Sequence, residues 1–329
     1  MLNTKKEAPN LLERFSMRKK MKNSKGSGSK YMSTQTRELS ILALPAVILL
    51  IIFNYMPMGG LILAFKDYRF DKGILGSDWI GLKNFEFFFK SQDAWRITRN
   101  TVGYNLVFII TTIGGGVLLA IILSEVTKKV LVKIYQTTLF FPYFLSWPVV
   151  AYIAFAFLDQ DLGLLNGLRE FLGMQPIVWY AEPSKWPVIM VISALWKDIG
   201  YNTIIFYAGL MAFDTSLFEA AAIDGANKMQ IIRKVTIPLM QPLIIMMTLL
   251  RLGKIFYADF GLFYMVTKDT GVLYPVVDVI DTYVYRSLRV VGDTGMASAV
   301  GFYQSVVGFI LVILANWLVR KYNEDCALF

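Results

Sequence analysis

Six long apolar runs organise this chain, near residues 41–64, 100–123, 132–157, 187–212, 237–262 and 298–319, with polar segments between them. A helix of about 20 apolar residues crosses the hydrocarbon core of a bilayer with its backbone hydrogen bonds satisfied internally. The pattern therefore predicts an all-α membrane protein with about six transmembrane helices. No cleavage-like site follows the first run, so it reads as a retained anchor rather than a removed signal. One polar segment stands apart: 216-SLFEAAAIDGANKMQIIRKVTIPLMQP-242 is alanine-rich, basic and turn-bearing, yet lies between two long apolar runs.

Composition agrees with a membrane protein. Of 329 residues, 56% are apolar and 15% aromatic, and the mean hydropathy is +0.51. The formal net charge is +9, but Lys5, Lys6, Arg14, Arg18, Lys19, Lys20, Lys22, Lys25, Lys30 and Arg37 all precede the first run, where they meet anionic headgroups. With no groove-reading motif beside that tail, the charge points to membrane lipids and not to nucleic acid. There is no His and one Cys, Cys326, which excludes a His or multi-Cys metal site, a His-based triad and an internal disulfide.

Lys and Arg concentrate in the tail, in 124-SEVTKKVLVK-133, at Lys228, Arg233 and Lys234, and at Arg320 and Lys321. These four segments alternate as the positive-inside rule requires for six spans with both termini in the cytoplasm. The connections around 66–99, 158–186 and 263–297 are then external, and stretches such as 78-DWIGLKNFEFFF-89 and 176-PIVWYAEPSKW-186 resemble interfacial aromatic belts. The expected organisation is a basic, partly disordered tail over 1–39, a transmembrane domain over 40–322 and a short cytoplasmic end at 323–329.

Within 213–238, Ser216 and Glu219 have capping-box spacing and predict a helix starting there. Leu217, Phe218, Ala221 and Ala222 share one side, and Asp224-Gly225 supplies a left-handed stop. A second helix is expected from about Ala226 to Thr236, with a new span beginning at Pro238. Helix, corner and helix make a knob whose small residues admit a partner's backbone. A solvated loop that is merely ordered by its cap satisfies the same residues.

The run 219-EAAAIDGANKMQIIRKVTIP-238 resembles the EAA loop of binding-protein-dependent ABC importer permeases, matching at Glu219, Ala220, Ala221, Asp224, Gly225, Ala226, Ile237 and Pro238. The segments 53-FNYMPMGGLILAFKDY-68 and 79-WIGLKNFEFFF-89 and the ending 322-YNEDCALF-329 extend the resemblance to the carbohydrate-uptake group, complex-oligosaccharide permeases with a maltose-permease-like partner. The resemblance implies the type I importer fold and a cytoplasmic coupling helix. Glu219, Ala220, Ala221, Asp224, Gly225 and Ala226 would then dock on an ATPase. It further implies a second, homologous permease, two cytoplasmic ABC ATPase subunits that carry ATP and Mg, an extracellular or periplasmic solute-binding protein, and an oligosaccharide substrate. The setting would be a bacterial cell membrane.

The sequence contains no G-x-x-x-x-G-K-[ST] loop, G-x-S-x-G elbow or evident nucleophile-base pair. A transport subunit without a catalytic set or cofactor of its own is expected. Charges inside spans are costly and tend to face a cavity or a partner. Lys197 and Asp198 lie in the fourth run, and Arg251, Lys254 and Asp259 in the fifth, where a continuous helix sets Asp259 about 80° round from Arg251. Sugar recognition favours flat rings with amides and charges nearby, which singles out Trp196, Lys197, Tyr201 and Asn202, together with Tyr104 and Asn105 and with Tyr143 and Trp147. For an acidic sugar, Lys197, Arg251 and Lys254 would serve as counter-charges. Structural ion pairing within the bundle accounts for the same charges. Gly114, Gly115 and Gly116, Pro142 and Pro148 predict close helix contact and kinks. An ion-coupled carrier using Lys197, Asp198 and Asp259, or an importer for another small solute, remains open on these residues.

Overall fold

The computed structural model describes residues 34–322. Among these, five helices are long and apolar enough to cross a membrane, and six if a sharply bent pair counts as one span. The chain divides into two units. In the first, α1 (Thr34–Leu50) passes into a wider turn over Ile51–Tyr55, and the apolar side chains of both, such as Leu42 and Phe53, are exposed. An all-round apolar helix of this kind suits a hydrocarbon environment.

The second unit, from Gly60 onward, holds the remaining spans. A minimal antiparallel pair, β1 (Lys66–Asp67) and β2 (Asp78–Trp79), precedes α2 (Lys83–Lys90). The span helices are α3 (Gln92–Ser124), α4 (Lys129–Phe140) with α5 (Trp147–Leu158), α6 (Trp186–Met211), α8 (Lys228–Leu252) and α10 (Thr294–Tyr322); the short helix α7 (Ser216–Ile223) lies between α6 and α8. Another short helix, α9 (Ile280–Arg286), precedes α10.

Helices α3 and α6 pack closely because α3 carries glycines at their contact. A Cβ on Gly116 would fall 2.8 Å from the Asn202 Cβ, and one on Gly115 would lie 3.1 Å from Ile199. The expected glycine contact is thus formed, although Gly114 itself faces open space.

Three expectations require correction. The third run is not one helix: its two halves meet at 100°, with Leu145 and Ser146 extended between them. Pro148 has no N–H and Pro142 lies in the last helical turn before the break, so this stretch cannot carry an unbroken helical ladder. Second, the fifth helix ends at Leu252, and Arg251, Lys254 and Asp259 therefore do not share a helix. The segment from Gly253 to Asp259 is irregular before helix resumes at Phe260 and continues through Gly261–Val266. Third, Pro238 does not start a span, because the helix runs unbroken from Lys228 through a wide turn at Ile232–Thr236 to Leu252. The basic tail at 1–33 and the end at 323–329 lie outside the described residues.

Candidate functional site

The 213–238 segment is built as predicted in outline and differently in its caps. The Ser216 side chain makes no capping bond; Asp214 accepts from the Ser216 amide at 2.9 Å, and Thr215 carbonyl accepts from Glu219 N. Asp214 prevails because its carboxylate reaches the first free amide two residues on, so the helix is already closed before Ser216 and Glu219 can pair. The Ser216 amide, and then its hydroxyl, hold the Asp214 carboxyl below its ordinary range. The capping box that does form is one helix later, where Asn227 Oδ1 accepts from Gln230 N and Gln230 Oε1 accepts from Asn227 N. It starts α8 at Lys228, not near Ala226.

Gly225 adopts φ +81°, the left-handed corner expected of it, and the Ala226 amide closes onto Ala221 carbonyl. The inner side of α7 is Phe218, which packs on the cluster of Ile113, Phe206, Leu210 and Met240. The outer side presents Ala220, Asp224 and two large apolar residues, Leu217 at 46% and Ile223 at 86% exposure. Leu217, expected on one side with Phe218, is turned outward instead, and Ile223 is not among the motif residues singled out above. Ile223 was missed because it stands in the helix's last turn, where an isoleucine reads as core. Beneath α7 a cleft of about 510 Å³ is lined by Phe218, Glu219, Ala222 and Ala226, with Glu125 and Lys228 joined across it at 2.6 Å.

The pathway candidates are not gathered in one cavity. Trp196 faces an apolar cleft of about 470 Å³ with Val150, Phe157 and Ile192. Lys197 is buried on another side of α6, where its ammonium donates to Tyr143 carbonyl at 3.0 Å and Leu145 carbonyl at 2.6 Å. Tyr201 stacks on Tyr143 with ring centres 4.8 Å apart. Asn202 is buried against Gly116, with its amide nitrogen bonded to Asp198 carbonyl and its Oδ1 without a protein partner.

Arg251 pairs with Asp198 at 3.6 Å, which joins α8 to α6. Asp259 accepts from the Gly261 and Leu262 amides and so starts the helical turn after the fifth-span break, while Lys254 is exposed. That break is held by side chains from elsewhere. Asn105 donates to Ile255 and Tyr257 carbonyls at 2.9 and 3.2 Å, Gln304 donates to Phe256 carbonyl, and Asp281 accepts from Ala258 N at 2.7 Å. Irregular backbone at membrane depth requires such partners. On the side reached through α9, Asp278 is held between Arg286 and Arg96, and Arg286 also meets Asp269 at 2.8 Å.

Comparison with known proteins gives this arrangement its setting. Residues 112–324 match the family described as binding-protein-dependent transport system inner membrane component. Protein LplB of Bacillus subtilis (strain 168) is 33% identical over 302 residues, which cover 91% of this chain and 94% of that protein. The polygalacturonan/rhamnogalacturonan transport system permease protein YteP of the same organism is 33% identical over 291 residues, covering 88% and 90%. The structure is also similar to a chain of a bacterial ABC transporter that imports the acidic polysaccharide alginate, with TM-score 0.80, 30% identity and coverage of 88% of this chain and 97% of that one. The matched span contains the 219–238 run, so the resemblance seen there holds and the ion-coupled carrier falls away. The chain belongs to the binding-protein-dependent transport system inner membrane components, with a type I ABC importer permease fold: it is a multi-pass membrane permease, a transport subunit and not an enzyme.

Proposed function

We propose that this chain, with a second homologous permease, forms the translocation pathway of an ATP-driven importer for an acidic oligosaccharide. The observation that carries the reading is α7: a capped helix ending in a left-handed glycine, between two spans, with Ile223 and Leu217 turned outward. Glu219, Ala220, Ala221, Asp224, Gly225 and Ala226 form the ATPase-docking knob, and Ile223 adds the apolar tip. Two cytoplasmic ATPase subunits bind ATP and Mg, and both termini of this chain lie on their side of the membrane.

Support for the substrate class comes from the relatives. YteP is described as a polygalacturonan/rhamnogalacturonan permease, and the alginate transporter has also been crystallised with a pentasaccharide-bound periplasmic protein, a structure to which this chain is similar at TM-score 0.80 and 29% identity. Both substrates are rich in uronate, whose carboxylates favour passage along cationic walls. A solute-binding protein outside the cell delivers the sugar here in the same way. Arg251 and Lys254 are cations beside and within the fifth-span break, where Asn105 supplies an amide and Asp259 a carboxylate; Trp196, Tyr201 and Asn202 lie apart from it along α6 and offer rings and an amide to a second stretch of the path.

The test is ATPase activity of the complex reconstituted in vesicles with its binding protein and a panel of alginate pentasaccharide, galacturonate pentamer and maltopentaose. The expected result is stimulation by an acidic oligomer and none by maltopentaose. Stimulation by maltopentaose alone refutes the acidic class, and no stimulation by any of the three refutes the oligosaccharide reading.

A further inference from the structure

Lys197 is held at the corner where the third span breaks. The bend leaves the Tyr143 and Leu145 carbonyls without helical partners, and the ammonium from α6 takes both, at 3.0 and 2.6 Å. It also lies 5.2 Å from the Trp147 ring centre and 5.7 Å from that of Tyr143, so two aromatic faces support the same charge. One turn along α6, Gly200 lies against the backbone of Leu139 and Phe140 with no room for a Cβ, and Tyr201 stacks on Tyr143. The first half of the broken span is thus clamped to α6 at three successive points.

The second half is attached elsewhere. Trp147, the first residue of α5, lies on Gly261 so closely that a Cβ there would clash with its ring. Gly261 opens the helical turn that follows α8 and the fifth-span break. Consequently the corner at Leu145 and Ser146 has one side fixed to α6 and the other to the continuation of α8. These are the two helices that flank α7.

We propose that Lys197 is a positioning residue for transport: its bonds to the Tyr143 and Leu145 carbonyls make the corner of the third span follow α6 when α7 is moved from the cytoplasmic side. The role rests on the importer reading and assigns Lys197 to the backbone rather than to the sugar. Its requirement is for a hydrogen-bond donor of suitable reach. A counter-charge for a uronate would require a cation.

The test uses the full complex in vesicles, with its binding protein and the oligomer from the panel above that stimulates the wild type. It reads stimulated ATPase and sugar uptake together, as uptake per ATP hydrolysed. Lys197→Met keeps the length and removes every donor; Lys197→Gln restores donors without charge. The expected result is that Lys197→Met keeps stimulated ATPase within about two-fold while uptake per ATP falls by about ten-fold or more, the range set by losing a charged hydrogen bond, and that Lys197→Gln recovers part of it. Uptake and ATPase falling in parallel means a merely structural residue, and loss in both variants with altered preference between acidic and neutral oligomers means a counter-charge; either overturns the proposal. Should Lys197→Met fail to assemble, Lys197→Gln decides alone: uptake per ATP retained to within a few-fold of wild type, with unchanged preference between acidic and neutral oligomers, supports a donor requirement, and a loss of about ten-fold or more or a changed preference contradicts it. A wild type that no oligomer in the panel stimulates overturns the importer reading beneath it, which separates the two failures.

Discussion

Gly225 turns the chain at φ +81°, and a Cβ placed on it would meet nothing within 4 Å. The only intrachain cost of a side chain there is therefore conformational, roughly 1–2 kcal/mol for an ordinary L-residue in the left-handed region. At about 1.4 kcal/mol per decade, Gly225→Ala shifts the turn against its native form by roughly five- to thirty-fold. Asparagine enters that region more readily. The expected order of binding-protein-stimulated ATPase is glycine, then Gly225→Asn, then Gly225→Ala, with the complex still assembled in all three. Equal activity for glycine and alanine refutes the view that the corner orients the docking helix. Equal loss for asparagine and alanine refutes its conformational origin and shifts the requirement to space on the ATPase surface.

Other outcomes follow from the same geometry. Gly200→Ala drives a methyl into the Leu139 backbone and is expected to cost about 1–3 kcal/mol, read as a lower unfolding temperature in detergent; an unchanged temperature contradicts the close contact. Asp278→Asn leaves Arg286 and Arg96 facing a neutral group at a side chain only 1% exposed, a loss of about 3–5 kcal/mol in the same assay. The lowered Asp214 carboxyl caps α7 at every pH above its ordinary value of 3.8 and releases it as pH falls below. Stimulated ATPase should thus show no Asp214-dependent step near neutrality, whereas Asp214→Ala reduces it at neutral pH.

The spans and the helix-corner-helix of 216–231 were legible because both are local in sequence. Apolar length alone located the spans to within a few turns, and the Asp224-Gly225 pair marked a corner that only a left-handed residue makes cheaply. The caps were less legible. Ser216 and Glu219 have the right spacing, but Asp214 competes for the same amide, and the pattern Asn227 to Gln230 was equally available in the sequence.

The two breaks were hidden for a different reason. Hydropathy runs on through Phe141–Trp147 and through 253–262, and only partners far away in the chain make unwinding tolerable there. Asn105 lies 150 residues from Ile255, and Lys197 lies 52 from Leu145. Pro142 and Pro148 signalled a kink without its size. The same long-range bonds explain why Lys197, which reads as a sugar ligand in sequence, is occupied by backbone.

The most direct test of the central claim places a cysteine at Ile223 in a chain whose Cys326 is replaced by serine, in the complete transporter in vesicles. A short bifunctional thiol-to-amine reagent is then added from the cytoplasmic side, and the products are resolved by mass. The account predicts a cross-link from Ile223→Cys to the ATPase subunit that changes in yield when ATP is bound. A transporter that takes up sugar while Ile223→Cys labels freely and never joins the ATPase contradicts it.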